Sequence, residues 1–257
     1  MITKKELQYY SSLLNKKYRK KENKFLVEGT KTVLEGLNSR FKCEVIFTTS
    51  QYAEENEEIV SQIQITKQKV VTLKQKEFEK ISDTESPQGI AGVFQKPKLN
   101  VDPSADGLSS IDDKVVIMLD NISDPGNLGT IIRNCDWFGV KNILISENIV
   151  DYTNPKVIRS SMGSVFHINL FEEIDSKKLL ILKERGYDIL CADTEGENVF
   201  TYRSSKKKIL ILSSESHGPS EEIELVSDKK ICILRIGNAE SLNVASASAV
   251  LLAFLTK

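Results

Sequence analysis

From Val115 onward the chain carries six near-continuous apolar runs, VVIMLD, NILIS, VFHINL, DILCAD, KILILSS and KICILRI, most of them separated by stretches with helical spacing. Runs of strand length that are apolar at every position must be covered on both faces, and alternation with helices makes the sheet parallel. Residues 114–257 are therefore expected to form an α/β domain. The first strand is not followed by G-x-G-x-x-G, so a dinucleotide-binding dehydrogenase is disfavoured.

The first part of the chain reads differently. Leu7, Tyr10, Leu13 and Leu14 recur at helical spacing. FLVEG, CEVIFTT, KVVTL and QGIAGVFQK read as strands, with TKTVLEGLNS and the stretch through QKEFEKIS as helices. Residues 1–96 are expected to form a small α/β module. KPKLNVDPSADGLSSID lacks periodicity and is rich in Pro, Ser, Gly and Asp, so residues 97–113 are read as a linker. The 257 residues carry 35 Lys+Arg against 36 Asp+Glu, but residues 1–98 hold 18 basic and 13 acidic residues, so a positive first part faces an acidic remainder. Six of those cations, Lys16, Lys17, Arg19, Lys20, Lys21 and Lys24, crowd into KKYRKKENK, with Tyr18 among them. From charge alone such a run reads first as a solvated helix face; its attraction for phosphates makes it the candidate RNA-binding element.

Several classes are excluded or disfavoured. MITKKELQYY lacks the apolar core of a signal peptide, and no stretch approaches the roughly 18 apolar residues of a membrane span, so a soluble, cytoplasmic protein is expected. Cys43, Cys135, Cys191 and Cys232 are far apart and form no C-x-x-C pair, which fits buried small hydrophobes rather than zinc or disulfides. Neither His167, flanked by apolar residues in a strand-like run, nor His217 belongs to a metal-ligand cluster or a Ser-His-Asp arrangement.

Ligands of open parallel sheets sit beyond the carboxyl ends of the strands, and three loops there are unusual. The first is N-x-x-x-P-x-N-x-G-x-x-x-R from Asn121 to Arg133, in which Asn127 is expected to cap a helix that Gly139 ends. The second is SSESHG, from Ser213 to Gly218, and the third is ILRIGNAESLN, from Ile233 to Asn243. The helix after Asn243 is rich in Ala and Ser, so something packs closely against it.

Together and in this order, the three motifs resemble those of the SpoU (TrmH-like) RNA 2'-O-ribose methyltransferases of the SPOUT superfamily. KKYRKKENKFLVEGTKTVLEGL and SDTESPQGIAGVF are similar to the ribosomal-protein-like substrate-binding domain that often precedes that catalytic domain. The resemblance implies an α/β catalytic domain with a deep trefoil knot, an S-adenosyl-L-methionine cofactor, an rRNA substrate in preference to tRNA, and a homodimer with active sites at the subunit interface. Matching positions assign cofactor contact to Ser213, Glu215, Gly218, Ile233, Ile236, Ser241, Leu242 and Asn243, with Thr194 nearby. The chain departs from the usual family pattern at Ser213, Ser216, Leu234 and Arg235. Arg133 becomes the catalytic candidate, with Asn127 orienting the ribose or Arg133, while Glu215 and Asn243 hold the geometry. The alternative is an inactive RNA-binding or ribosome assembly protein that keeps the fold.

Overall fold

A computed structural model describes residues 2–97, 108–214 and 218–257. It divides into two compact units, residues 1–97 with 151–166, and residues 98–150 with 167–257.

The first unit opens with helices α1 (Lys4–Ser12) and α2 (Lys16–Glu22), then β1 (Lys24–Glu28), α3 (Thr30–Leu37), β2 (Lys42–Thr49), α4 (Ser50–Glu55), α5 (Glu57–Ile65), β3 (Val70–Leu73), α6 (Gln75–Phe78) and β4 (Ile90–Gln95). Thr3 and Glu6 form a capping box at the start of α1, satisfying amide groups that would otherwise lack partners. The sheet order is β1-β4-β2-β3, with β4 antiparallel to both neighbours and β2 parallel to β3. The expected strands are present, whereas α4 and α5 were not legible in the Glu- and Gln-rich stretch between β2 and β3. Gly36 sits in α3 because a methyl group there would come within 2.7 Å of the Phe94 ring and 2.9 Å of Phe166.

The second unit holds β5 (Val115–Asp120), α7 (Pro125–Trp137) and β6 (Asn142–Ile145); α8 (Pro155–Ser161) groups with the first unit, although it lies between sequence segments of the second. There follow β7 (Asn169–Phe171), α9 (Ser176–Glu184), β8 (Tyr187–Asn198), β9 (Lys207–Ser213), α10 (Glu221–Leu225), β10 (Lys229–Cys232) and α11 (Val244–Leu255). Six strands pair in the order β10-β8-β9-β5-β6-β7, all parallel, as the apolar runs require.

Three details differ from expectation. In VFHINL the first part is a 3-10 turn, and the strand begins only at Asn169; His167 lies before it, exposed, with Nδ1 2.8 Å from Asp136 Oδ2. KICILRI is a strand only to Cys232. The end of the expected linker is core: Leu108 and Ile111 are buried with the sheet, and Arg185 donates to both their carbonyls at 2.6 and 2.9 Å. The rest of that segment, residues 98–107, lies outside the described residues. All four cysteines are free; Cys135, Cys191 and Cys232 are buried as expected, whereas Cys43 is only half-buried. Burial pushes the pKa of Cys191 up to about 11 and of Cys43 up to about 12.

Candidate active site

The last residue of β5, Asp120, stands opposite Ser213 at the end of β9. Asp120 is buried, and its Oδ2 accepts the amide of Ser220 at 2.6 Å, while Oδ1 has no partner among the described residues. Asn121 follows with φ +56°, a left-handed conformation that Asn tolerates better than most residues. Its Nδ2 donates to the carbonyl of Gly218 at 3.1 Å across 97 positions of sequence. Gly218 itself has φ +65°. The first and second motif loops are thus joined at adjacent residues of one strand end.

The N-cap of α7 is Asp124, not Asn127: Asp124 Oδ1 accepts the Asn127 amide at 2.7 Å, and Pro125 fills the first helical position, where no amide is needed. That correction frees the Asn127 side chain for another task. Asn243 caps α11, accepting from the amides of Ala245 and Ser246, and its Nδ2 donates to Asn127 Oδ1 at 3.0 Å. A second link lies two turns further along the same face of α7, where Asn134 donates to the Ala245 carbonyl at 2.9 Å and to Ser248 Oγ at 2.8 Å. The small residues of α11 admit α7 at this distance, which answers the expectation of close packing. Asn134 and Asp120 were not singled out in the sequence. A polar residue between the buried Ile132 and Cys135 was the available signal for Asn134.

Arg133 is exposed, and among the described residues it makes no ion pair or hydrogen bond. The third loop, residues 233–243, leaves β10 almost fully open to solvent: Ile236 is 96% exposed, and Leu234 and Leu242 about half exposed. Among the described residues, the amides from Arg235 to Leu242 donate no loop hydrogen bond, and Ser241 is exposed beside them. Ile233 and Ser213 are half-buried. A methyl group added at Gly218 or Gly237 would meet nothing within 4 Å among those residues. Apolar side chains without cover, unused amides and open glycines are what an adenosyl group and a short amino-acid tail require. The Thr194 hydroxyl donates to its neighbour Asp193, at 3.3 Å. Glu215, Ser216 and His217 lie outside the described residues. No group of three or more potential metal ligands occurs among the described residues.

The basic run forms α2, in the first unit. Lys16, Lys17, Lys20 and Lys21 are exposed beside the half-exposed Tyr18. Arg19 corrects the expectation of a phosphate contact: it is 2% exposed, pairs with Asp151 at 2.9 Å, and donates to the carbonyls of Leu13 and Leu14 at 3.1 and 2.7 Å. Lys24 is held by Glu44 and by the Tyr9 hydroxyl. Burial opposes its charge, but those bonds prevail and raise its pKa above the usual lysine range.

Residues 114–253 match the SpoU rRNA Methylase family, and residues 4–92 match an MRM3-like substrate binding domain. The chain is 31% identical over 250 residues to the 23S rRNA (guanosine(2553)-2'-O)-methyltransferase RlmP of Bacillus subtilis, covering 94% of this chain and 92% of that protein. It is 27% identical to a solved structure from Porphyromonas gingivalis described as an RNA methyltransferase of the TrmH family, with a TM-score of 0.85 over 99% of this chain and 98% of that one. The fold is also that of the SpoU methyltransferase AviRb from Streptomyces viridochromogenes, solved with AdoMet, at a TM-score of 0.87 and 21% identity over 99% of this chain and 97% of that one. With more than half its length inside the family match, the chain belongs to the SpoU rRNA methylase family.

Proposed function

We propose that the chain is an S-adenosyl-L-methionine-dependent RNA 2'-O-ribose methyltransferase acting on ribosomal RNA, with Arg133 as its catalytic residue. The observation that carries this reading is the pair of long-range bonds, Asn121 to Gly218 and Asn243 to Asn127, which bring the three motif loops together. The substrate class is taken from the relatives, one of which methylates a guanosine 2'-oxygen of 23S rRNA by its name. A homodimer and the family's knot belong to the same proposal. Supporting the dimer, Trp137 on α7 is 85% exposed, an unusual position for a large aromatic side chain.

When bound, S-adenosyl-L-methionine supplies a methyl group on a sulfonium that leaves as a neutral thioether. Ser213, Gly218, Ile233, Ile236, Ser241 and Leu242 would hold it, with Glu215 assigned by its position in the second motif. A ribose 2'-hydroxyl ionises far above neutral pH, so its oxygen needs help as the proton departs. A guanidinium stays charged below about pH 12 and is a poor base. Arg133 therefore binds the neighbouring phosphate and stabilises charge growing on the 2'-oxygen. Asn243 fixes Asn127 through its amide, and with it the start of the helix that carries Arg133.

The test is calorimetric titration with S-adenosyl-L-methionine, followed by transfer of labelled methyl groups to rRNA and mapping of alkali-resistant linkages. Binding with 2'-O-methylation of rRNA is expected. Failure of the protein to bind the cofactor would instead favour the inactive assembly protein.

A further inference from the structure

The second unit has a cavity of about 400 Å³ outside the motif loops, lined by Tyr202, Arg203, Ser204, Lys208, Phe254 and Lys257 together with aliphatic side chains. It lies between the chain that follows β8 and the last turn of α11. Lys208 is the second residue of β9, roughly 17 Å along the strand from Ser213. The active-site loops leave the opposite ends of the strands.

The polar part of the lining has one chemical character. Three of these residues are cations, and no Asp or Glu lines the cavity. Lys208 is buried, and two of its three ammonium hydrogens are committed, to the Ser204 carbonyl at 3.0 Å and the Lys206 carbonyl at 2.7 Å. Burial lowers its pKa, with the more distant Asp188 opposing, so it is a cation short of countercharge. Arg203 spends Nη1 on the carbonyls of Phe200 and Tyr202 and keeps its remaining donors. Ser204 Oγ accepts the Lys206 amide and keeps its hydroxyl hydrogen. The Tyr202 hydroxyl is buried and has no partner among the described residues. Buried polar groups rarely stay unpaired without a reason. Each of these unspent groups can donate, and two of them belong to cations, which favours a ligand rich in acceptor oxygens and negative charge.

The rest of the wall specifies the other half of that ligand. Phe254 packs edge-on against Phe200 at 4.6 Å, and the Lys257 ammonium sits 4.8 Å from the centre of its ring. A bare oxyanion needs neither an aromatic wall nor this volume, whereas a planar base carrying a phosphate uses both. We infer that this cavity binds a nucleoside phosphate, its phosphate on Arg203, Lys208 and the Tyr202 hydroxyl and its base against Phe254. The nucleotide comes either from solution or from a strand of RNA. In the second case the site extends the proposed function by a second RNA contact on the catalytic unit.

The experiment is titration of the full-length protein with adenosine 5'-monophosphate, with S-adenosylhomocysteine present in excess to fill the cofactor site. One site per chain is expected. Tyr202→Phe, which removes one hydroxyl, should weaken binding several-fold, and Lys257→Glu should weaken it tenfold or more. Neither should alter the affinity for S-adenosylhomocysteine or the melting temperature. A short oligoribonucleotide that displaces the mononucleotide, with salt-dependent affinity, assigns the site to RNA; displacement by free nucleotides alone assigns it to a soluble ligand. No binding at millimolar concentration, inorganic phosphate binding as tightly as the nucleotide, or unchanged affinity in both variants would overturn the inference. Because both variants are read by nucleotide binding, the result stands apart from whether the protein methylates RNA.

Discussion

Arg19 and Arg133 stand in unlike stretches of sequence and are opposites in the fold. Arg19 belongs to a run of lysines and so looks like a phosphate contact, yet its guanidinium is buried with Asp151 and two backbone carbonyls as partners. Arg133 stands among apolar helix residues, outside any run of charge, and of the two it is the one without a partner among the described residues. Local charge density says where cations gather, not which of them remain available. Arginine suits both tasks because its planar fork meets carboxylates, carbonyls and phosphates with several donors at once. What separates the roles is whether the protein has already used those donors.

The largest effect should come from the unpartnered arginine. Arg133→Ala is expected to lower methyl transfer by at least about 100-fold, the range seen when one donor to a developing oxyanion is lost. Its melting temperature and cofactor affinity should match the parent because no interaction of the folded chain is removed. Single-turnover transfer to rRNA, measured beside calorimetric cofactor binding, checks both halves. Arg133→Lys should recover little, since an ammonium cannot reproduce the fork. Turnover within a few-fold of the parent would take Arg133 out of the mechanism and erase the contrast between the two arginines.

Next in size is the buried arginine. Arg19→Ala leaves Asp151 buried without its counterion and should cost about 3–5 kcal/mol of stability, read by urea unfolding. Arg19→Met with Asp151→Leu removes both charges and should recover much of that loss. Acid tests the same pair. Asp151 is desolvated, but hydrogen bonds from Thr153 and the charge of Arg19 outweigh that and hold its pKa below the usual carboxylate range. A depressed folded pKa gives stability that is complete above the unfolded value, near 3.9, and is lost as pH falls toward the folded one. The parent should therefore lose stability below about pH 4 through this residue, and the Met/Leu double variant should lose less.

The parallel sheet was legible because each of its strands is apolar throughout and the helices between them are not. Much of the site was legible because the residues that hold the motif loops, Asn121, Asn127 and Asn243, are themselves motif residues. Most of what escaped depends on partners far away in the chain. Asn134 is an ordinary helix residue until Ser248 is placed beside it, and Leu108 is an ordinary linker residue until Arg185 fastens its carbonyl. Asn127 carried a cap signal that Asp124, three residues earlier, satisfies instead. Arg19 escaped through distance, since Asp151 lies 132 positions away.

The smallest effect distinguishes the members of the basic run from one another. Lys17 and Lys20 are exposed on α2 and make no ion pair among the described residues. If they meet RNA phosphates, Lys17→Glu and Lys20→Glu should each weaken RNA binding several-fold and flatten the dependence of log K on log salt by about one. Neither should affect unfolding by more than about 0.5 kcal/mol, the usual range for exposed positions. Arg19→Met in the Asp151→Leu background removes a buried pair rather than an exposed charge and should leave the salt slope unchanged. Equal slopes for all three proteins would make α2 a solvated face, with RNA held elsewhere. A changed slope in the Met/Leu protein alone would show that the buried pair shapes the RNA surface from below.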